Sequence, residues 1–364
     1  MVEKDMILRN GSLEEPFFSI CIPQFDRVNY LAEMLNSLRA QEFCDYEVVV
    51  SDDCSTDGTV TVIPSMLHEF FERYVFVRTS RNVGYDANLR NALSHATGRY
   101  VLLMGNDDAF GDDMILRDAA SILQNDPSIG VLIGNYCHWS NSGDRVLNFE
   151  SSINIGTGTH TVCQHFRKMV FISGLVMDRR LSQEFTTRRF DGSLWYQVFI
   201  ASKIILSGRT LFGWNRVTVR KDIEIQGHKS LQLWGMSSAS RNFSRANSFG
   251  GLTLCRVAVS AVREHVTEEQ LRRCCYRMLL QVMLLTYPFA LYTCRRNQSY
   301  FRAIKMVCEV SPACSLKGFP LSLIDYWIIC SGYMLATFLG MCIPLSVLAV
   351  LKDFYQRIRS RLGA

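Results

Sequence analysis

The chain has 364 residues, of which 48% are hydrophobic and 20% charged, and this composition excludes a largely disordered polypeptide. A formal net charge of +5 is small for a nucleic-acid-binding protein, so no nucleic acid is expected among its partners. The 13 cysteines are odd in number and form no Cys-x-x-Cys pair, which predicts reduced thiols in a cytoplasmic protein. The charged start of the chain predicts no signal peptide.

Strand and helix patterns alternate through the first half of the chain. Short β-branched runs predict strands, and apolar residues three and four apart predict helices. The predicted strands are 17–22, 47–50, 74–77, 100–104 and 129–133. The predicted helices are 29–40, 58–71, 86–95, 112–124 and 193–206. This alternation favours an α/β fold with a Rossmann-like, mostly parallel sheet flanked by helices.

Two of the predicted strands end on carboxylates. The run VVVSDD ends in Asp52 and Asp53, and the run YVLLMGNDD ends in Asp107 and Asp108. Open α/β sheets bind ligands at the carboxyl ends of their strands, so we expect these side chains at a shared edge. Clustered carboxylates repel one another, which predicts a cation or a hydrogen-bonding ligand between them.

Four segments in this order resemble the family 2 glycosyltransferases, which have the GT-A fold. They are SICIPQFDR (19–27), SDDCSTDGT (51–59), RNVGYDAN (81–88) and GNDD (105–108). The family uses nucleoside-diphosphate sugars and inverts the anomeric carbon. The resemblance therefore implies an inverting glycosyltransferase with a UDP-type donor, of the kind that builds bacterial surface polysaccharide or O-antigen.

The resemblance also implies a nucleotide-sugar site. Asp52 would accept hydrogen bonds from the base or the ribose, because a carboxylate can bind two donors at once. Gly84 would let the backbone approach the nucleotide closely. The other residues expected to border the nucleotide sugar are Pro23, Phe25, Arg27, Asp53, Asn82, Asn88 and Asn106.

A divalent cation, Mg²⁺ or Mn²⁺, is implied next, held by Asp107 and Asp108 and bridging the two phosphates. It would neutralise the charge that builds on the departing nucleoside diphosphate. The family usually has Asp-x-Asp here, and Gly105 stands at the position of the first Asp. We therefore expect weaker metal binding, or a ligand shell completed by Asn106, water and phosphate, with Asp107 as the principal ligand.

An inverting transfer needs a base for the acceptor hydroxyl. The family supplies an Asp or Glu after the metal motif, and Asp178, Glu184 and Asp191 are the candidates. Asp191 is preferred because it begins a predicted helix and precedes Trp195, an aromatic side chain that can stack on a sugar. The alternatives are a plain helix cap for Asp191 and a core position for Trp195.

Other acidic residues near predicted helix starts are interpreted as structural. Asp57 and Asp86 are expected to be turn residues or N-caps, because an aspartate at that position accepts hydrogen bonds from the free backbone N–H groups of the first turn.

The C-terminal third is predicted to be helical, with uncharged stretches at 278–294 and 326–351. Basic clusters flank both stretches, and the positive-inside rule would keep all of them on the cytoplasmic side. A re-entrant hairpin bent at Gly340 and Pro344 satisfies this, as do helices lying in the membrane interface. We therefore predict a monotopic or re-entrant enzyme on the cytoplasmic face of the inner membrane, with a polyprenyl-diphosphate-linked saccharide as acceptor. The alternatives are a single span through 326–351, a buried helical subdomain or a dimer interface.

The predicted domain division is a glycosyltransferase domain over 1–250, with a nucleotide half (15–135) and an acceptor half (136–250), followed by a membrane-associating helical region over 251–364. A sugar nucleotidyltransferase is an alternative, although 23–27 lacks the Gly-rich basic loop that it would need. A membrane-tethered, non-catalytic nucleotide-sugar-binding protein is another, because Gly105 weakens the metal motif. A dinucleotide-dependent enzyme is not expected, since no Gly-x-Gly-x-x-Gly follows the first strand.

Overall fold

The computed structural model describes residues 5–11, 14–225, 250–297, 300–348 and 350. Its strands are β1 (Met6–Asn10), β2 (Phe18–Gln24), β3 (Tyr46–Asp52), β4 (Tyr74–Arg78), β5 (Tyr100–Leu103), β6 (Ala109–Phe110), β7 (Ile129–His138), β8 (Asn141–Val146), β9 (Ile153–Gly156), β10 (Leu175–Asp178) and β11 (Thr210–Lys221).

The α-helices are α1 (Val28–Arg39), α2 (Thr59–Phe70), α3 (Tyr85–His95), α4 (Ile115–Asn125), α5 (Gly158–His165), α6 (Arg179–Glu184), α7 (Tyr196–Leu206), α8 (Gly251–Val262), α9 (Glu268–Gln281), α10 (Tyr287–Asn297), α11 (Tyr300–Val310), α12 (Pro312–Ser315) and α13 (Leu323–Cys342). Short 3-10 turns follow α5 and α8, and a π-helical turn (Val282–Thr286) joins α9 to α10.

The strands form one mixed sheet in the order β1-β4-β3-β2-β5-β10-β7-β11-β6, with β8 paired to β7 and β9 to β11. The four strands β4, β3, β2 and β5 are parallel, as the strand–helix alternation predicts. Strands β1, β10 and β6 pair antiparallel with their neighbours, which the alternation did not predict. Antiparallel neighbours need no helical crossover, so β10 can enter between β5 and β7 from an irregular segment.

Both faces of the parallel centre are covered. Val48 and Val50 of β3 pack with Leu31 of α1 in one buried apolar cluster. Val49 of the same strand belongs to a second cluster on the opposite face, which includes Leu89 of α3. This division follows from the two-residue period of a strand, and it explains why β3 reads as an unbroken apolar run.

The second cluster extends from the sheet into the C-terminal helices. It joins Cys21 of β2 to Leu254 of α8, Leu279 of α9 and Ile329 of α13. The helices after 250 therefore share a continuous apolar core with the sheet.

The five predicted helices begin one to three residues from their predicted starts. α4 begins at Ile115 and α7 at Tyr196, each three residues after the predicted start. α2 begins at Thr59, and Pro64 lies inside it. A proline lacks the N–H that an internal helical position donates, yet tertiary packing of Ile63 and Leu67 keeps this helix continuous.

Within the described residues, two helical stretches are long and apolar enough to cross a membrane by length and composition. They are Glu268–Arg296, which runs through α9, the π-turn and α10, and Leu323–Cys342, which is α13. The part of the predicted uncharged stretch after residue 350 lies outside the described residues.

Candidate active site

The carboxyl ends of β2, β3 and β5 lie side by side, as their parallel pairing requires. Gln24 ends β2, and its buried side chain accepts a hydrogen bond from Asn106 (2.6 Å) and donates one to Thr59 Oγ1 (2.9 Å). The loops after β3 and β5 are therefore tied to one residue between them. We call the edge formed by 23–27, 52–59, 82–88 and 105–108 the carboxyl rim.

Asp52 and Asp53 lie at the carboxyl rim but face inward. The Asp52 side chain is 0% exposed, lies 3.2 Å from Arg78 Nε, and accepts a hydrogen bond from the Ser55 backbone N–H. Asp53 accepts hydrogen bonds from the backbone N–H groups of Val83 (2.6 Å) and Gly84 (2.9 Å). Burial raises the pKa of both carboxyl groups, although these hydrogen bonds oppose the shift.

The segment before α3 is the part of the rim that Asp53 holds. Gly84 has φ +89° and ψ 163°, a conformation open to glycine but strained for other residues. Asn82 is exposed beside it. Asn88 is buried, donates to the Gln24 carbonyl (3.1 Å) and accepts from Ser51 Oγ (2.6 Å), so its side chain ties α3 to β2 and β3.

The end of β2 forms the opposite side of the rim. Pro23 is a buried strand residue, while Phe25 is half-buried. The Arg27 guanidinium reaches across to an ion pair with the Asp107 carboxylate, and both side chains are about one-third exposed. Two loops that are 80 residues apart in sequence thus place opposite charges together at the rim.

The two aspartates of the metal motif have different surroundings. Asp107 is partly exposed, whereas Asp108 is buried, accepts a hydrogen bond from Ser173 Oγ and another from the Asp222 N–H (2.9 Å). Burial and the neighbouring Asp107 charge raise the pKa of Asp108. A Cβ at Gly105 would lie 3.0 Å from both Asp108 Oδ2 and Ser173 Oγ. The Asp108–Ser173 pair therefore lies close beside position 105, and a side chain there would have to displace it.

These donors fit a cation that takes most of its ligands from substrate and water. Mg²⁺ commonly binds one or two carboxylates and completes its shell with phosphates and water. Asp107 offers such a carboxylate, and Asn106 stands next to it. Among the described residues, no group of three or more His, Cys, Asp and Glu side chains is arranged to hold a metal. Asp107 is thus the residue that would hold the ion, while Asp108 supports its loop from inside.

The three candidate bases lie in different places: Asp178 ends β10 opposite Tyr100 at the start of β5, Glu184 ends α6, and Asp191 lies beside α3. Asp191 is exposed in the turn before α7, five residues from the helix it was predicted to begin, and its carboxylate is paired with Arg90 of α3. Asp178 is the N-cap of α6, accepting from the Leu181 N–H. Trp195 Nε1 donates to the Gly250 carbonyl (3.0 Å), so the indole packs on the start of α8.

Asp86 is a correction to the sequence interpretation. It was expected to be an N-cap, but Gly84 occupies that position and Asp86 lies inside α3. Its buried carboxylate instead accepts hydrogen bonds from the backbone N–H groups of Leu194 (2.8 Å) and Tyr196 (3.1 Å). Asp57, by contrast, is the turn residue expected, accepting from the N–H groups of Thr59 and Val28.

Sequence reasoning missed several residues that build this region. Gln24, Arg90 and Asp222 act through partners between 35 and 114 positions away, as the contacts with Thr59, Asp191 and Asp108 show. No local sequence pattern predicts such pairs of residues. Two segments did carry a signal: Gln24 lies in the motif segment 19–27, and Ile172-Ser173-Gly174-Leu175 resembles the acceptor-side strand of the family.

Residues 19–175 match the family model described as "Glycosyl transferase family 2". This range contains β2 to β5, the carboxyl rim and Ser173. Residues 19–175 form a family 2 glycosyltransferase domain. The match agrees with the enzyme family that the four segments resemble.

Named relatives match part of this glycosyltransferase domain. Abequosyltransferase RfbV of Salmonella typhimurium is 38% identical over 108 residues, which are 29% of this chain and 31% of that protein. The GalNAc(5)-diNAcBac-PP-undecaprenol beta-1,3-glucosyltransferase of Campylobacter jejuni is 31% identical over 93 residues, which are 26% of this chain and 30% of that protein. The matched segment thus spans about a third of each relative.

A solved structure extends the likeness to most of the chain. Staphylococcus aureus TarS 1–349 in complex with UDP-GlcNAc superposes with a TM-score of 0.61 and 15% sequence identity, covering 88% of this chain and 90% of that one. At this identity the similarity shows the GT-A fold.

Proposed function

We propose that this chain transfers a sugar from a nucleoside-diphosphate donor, of UDP type, to a saccharide acceptor in cell-surface polysaccharide synthesis, with inversion at the anomeric carbon. The observation that carries the proposal is the meeting of Arg27, Asn106 and Asp107 at the carboxyl rim of a family 2 domain. Opposite charges on two loops there suit a diphosphate and its counter-ion.

The donor lies along the carboxyl rim in this proposal. Phe25, Asn82 and Gly84 border the nucleoside, and Pro23 shapes the strand end beneath it. The second group of residues supports the site from the interior. The polar atoms of Asp52, Asp53 and Asn88 are already paired with Arg78, with the 83–84 backbone and with Gln24, respectively. The nucleoside site therefore depends on buried hydrogen bonds that hold its backbone in place.

The diphosphate end needs positive charge. Arg27 is the side chain that can donate to phosphate oxygens, since a guanidinium matches their geometry with two parallel N–H groups. Mg²⁺ or Mn²⁺ bound at Asp107 would stabilise the charge on the leaving diphosphate. Asn106 completes the same loop, and Asp108 keeps it in place through Ser173 and the 222 backbone.

Asp191 is the proposed base. It takes the proton of the acceptor hydroxyl as that oxygen bonds to the anomeric carbon, and the bond to the diphosphate breaks on the opposite side. One bond forms and one breaks in line, so the configuration at the anomeric carbon inverts. The sugar nucleotidyltransferase alternative gains no support, because the rim carries a single arginine from 23–27 and no glycine-rich phosphate loop.

The acceptor proposed is a polyprenyl-diphosphate-linked saccharide, presented at a membrane surface. The name of the Campylobacter relative describes an undecaprenol-linked substrate. In this chain, α13 exposes an apolar face whose most exposed members are Leu323 (80%), Ile324, Trp327 and Phe338 (64%). A soluble monomer rarely leaves such a continuous stripe in water.

We propose that α13 lies on the cytoplasmic membrane face and does not span it. Its other face is tied to the protein: Tyr333 OH donates to the Val307 carbonyl (2.6 Å), and Thr337 Oγ1 lies 2.8 Å from Tyr287 OH. A helix lying in the membrane interface keeps both contacts. α11 adds exposed Phe301, Ile304 and Lys305 on one face, a pairing of apolar and basic residues typical of interfacial helices.

The function is tested by calorimetric titration of UDP in the presence of Mn²⁺, with Asp107→Asn as the diagnostic variant. We expect the wild type to bind UDP and the variant to lose the Mn²⁺-dependent part of the affinity and about 100-fold in turnover, the upper end of the loss seen when a partner of a metal ligand is removed. Asp126→Asn is a control, because that exposed carboxylate lies in the turn before β7. A wild type that binds no nucleotide would defeat the enzyme proposal.

A further inference from the structure

The segment before α7 is fastened to α3 by two side chains from one helix face. Asp86 and Arg90 are four residues apart, so they lie one above the other on α3. Both reach the segment 187–196, about 100 positions away, which carries Asp191. α3 also begins at Gly84 and carries Asn88, so the same helix borders the carboxyl rim.

Arg90 holds the Asp191 side chain. Its two terminal nitrogens contact the two carboxylate oxygens of Asp191, one pair at 2.8 Å, and Nη1 also donates to the Thr187 carbonyl (3.2 Å). The guanidinium lies 5.8 Å from the centre of the Tyr196 ring. The Arg90 side chain is 17% exposed and that of Asp191 is 33% exposed, so the carboxylate remains open to solvent while its partner is largely covered.

Asp86 holds the backbone behind Asp191. Its two oxygens accept from the Leu194 and Tyr196 N–H groups. Leu194 has φ +68°, a left-handed conformation that costs free energy for leucine and persists only where the surroundings enforce it. The turn between Asp191 and α7 thus has its shape imposed by a carboxylate from another element.

We propose that Arg90 is a positioning residue that orients the carboxylate of Asp191 toward the acceptor hydroxyl, and that Asp86 fixes the turn that carries it. The inference rests on the proposed function, in which Asp191 is the base. An ionised carboxylate has about four lone-pair sites, and a bidentate arginine uses two of them. The remaining sites can accept the hydroxyl proton while the arginine keeps the side chain in one rotamer.

The arrangement makes α3 a common support for donor and base. Its first turn borders the nucleotide, and its second turn carries the arginine that orients Asp191. The distance between the two reaction partners is then set by one rigid element instead of by two independent loops. A displacement of about 1 Å at a reacting group can cost roughly 100-fold in rate, so this support has a measurable consequence.

The test compares Arg90→Met, Arg90→Lys and Asp191→Asn in the full chain. Turnover is the release of nucleoside diphosphate with the donor that a nucleotide-sugar panel identifies, and UDP is the binding probe for calorimetry. We expect Arg90→Met to lower kcat about 100-fold with the Kd for UDP unchanged. Arg90→Lys should recover part of the loss and remain about tenfold below wild type, because an ammonium cannot form the bidentate pair. Arg189→Met is the matched control on the same segment, an exposed arginine lying against Phe190, and it should turn over normally.

The possible results distinguish a failure of this inference from a failure of the proposed function. If Asp191→Asn is inactive but folded Arg90→Met keeps a wild-type kcat, Arg90 is a structural ion-pair partner and the inference is wrong. If Arg90→Met does not fold, Arg90→Lys decides, and a wild-type kcat in that variant overturns the positioning role. If Asp191→Asn itself turns over normally, the assignment of the base in the proposed function fails.

Discussion

Single buried carboxylates shape the site at the scale of the residue. Asp86 is 1% exposed, and burial raises its pKa from 3.8 to about 6, although the N–H groups that it binds oppose the shift. Asp53 and Asp108 follow the same scheme, each facing backbone N–H groups of a loop that it holds. Hydrogen bonds from N–H groups make such burial tolerable, since an unpaired carboxylate in the interior would be far more costly.

Asp86 predicts a pH dependence of stability. Its pKa is higher in the folded than in the unfolded chain, so the folded state binds the proton more tightly and stability falls as pH rises from about 4 to above 6. The linked loss amounts to about 3 kcal/mol for this shift. In Asp86→Asn, the free energy of unfolding from urea titrations should fall less over this pH window than in wild type. Equal pH profiles for the two proteins would refute the assignment.

The decisive element is α3. Its sequence predicts an ordinary amphipathic helix, and its apolar face does pack on the sheet through Leu89 and Leu93. Its polar residues are also engaged: Asn88 joins two strands, and Asp86 and Arg90 hold the segment before α7. The backbone conformation at the start of this helix therefore sets the position of all three side chains, and Gly84 is the residue that adopts it.

Gly84→Ala tests that entry. With φ +89° and ψ 163°, an alanine would be strained by about 1–3 kcal/mol. We expect a loss of stability of that size, accompanied by weaker UDP binding in calorimetry. Gly208→Ala is the matched control, because Gly208 has φ +99° with open space around it and ends α7 far along the chain. It should lose comparable stability and bind UDP normally; weakened binding in both variants would indicate a general loss of folded protein instead.

At the scale of the whole molecule, the C-terminal helices bury one face in the core and expose another at the surface. Ile329, Cys330 and Tyr333 of α13 are buried against the preceding helices, while the opposite face is apolar and open. An ion pair of Arg272 with Asp325 fastens the start of the helix, and Arg295 donates to the Gly340 and Ile343 carbonyls at its end. The helix is thus fixed along its length, with its apolar stripe facing outward.

Flotation with vesicles of phosphatidylethanolamine and phosphatidylglycerol tests this surface. Trp327→Glu combined with Phe338→Glu removes two exposed aromatic side chains, each worth about 2 kcal/mol when buried in lipid, so vesicle binding should fall more than about tenfold. Val62→Glu is the control, since Val62 is an exposed apolar residue (43%) on α2, a helix that packs against the sheet. Unchanged vesicle binding by the double variant would exclude this face as the membrane contact, and a stable wild-type dimer that the substitutions dissociate would make it a subunit interface.

The sequence by itself determined the parallel centre of the sheet, the family and the residues at the strand ends. These features are local: β-branched runs, helical periodicity, and carboxylates placed directly after strands, as at Asp52 and Asp107. The sequence did not predict the antiparallel strands β10 and β6, because both strands are short and pair with strands that are distant in the chain.

Only the tertiary structure decided what those residues face. Asp52 and Asp108 turn inward while Asp107 stays open, a difference set by Arg78, Ser173 and the 222 backbone. Asp86 changed from a supposed cap to a support for the segment of Asp191. Partners that lie about 100 positions apart leave no periodic trace in a sequence, since their contact depends on how the elements pack and not on local spacing.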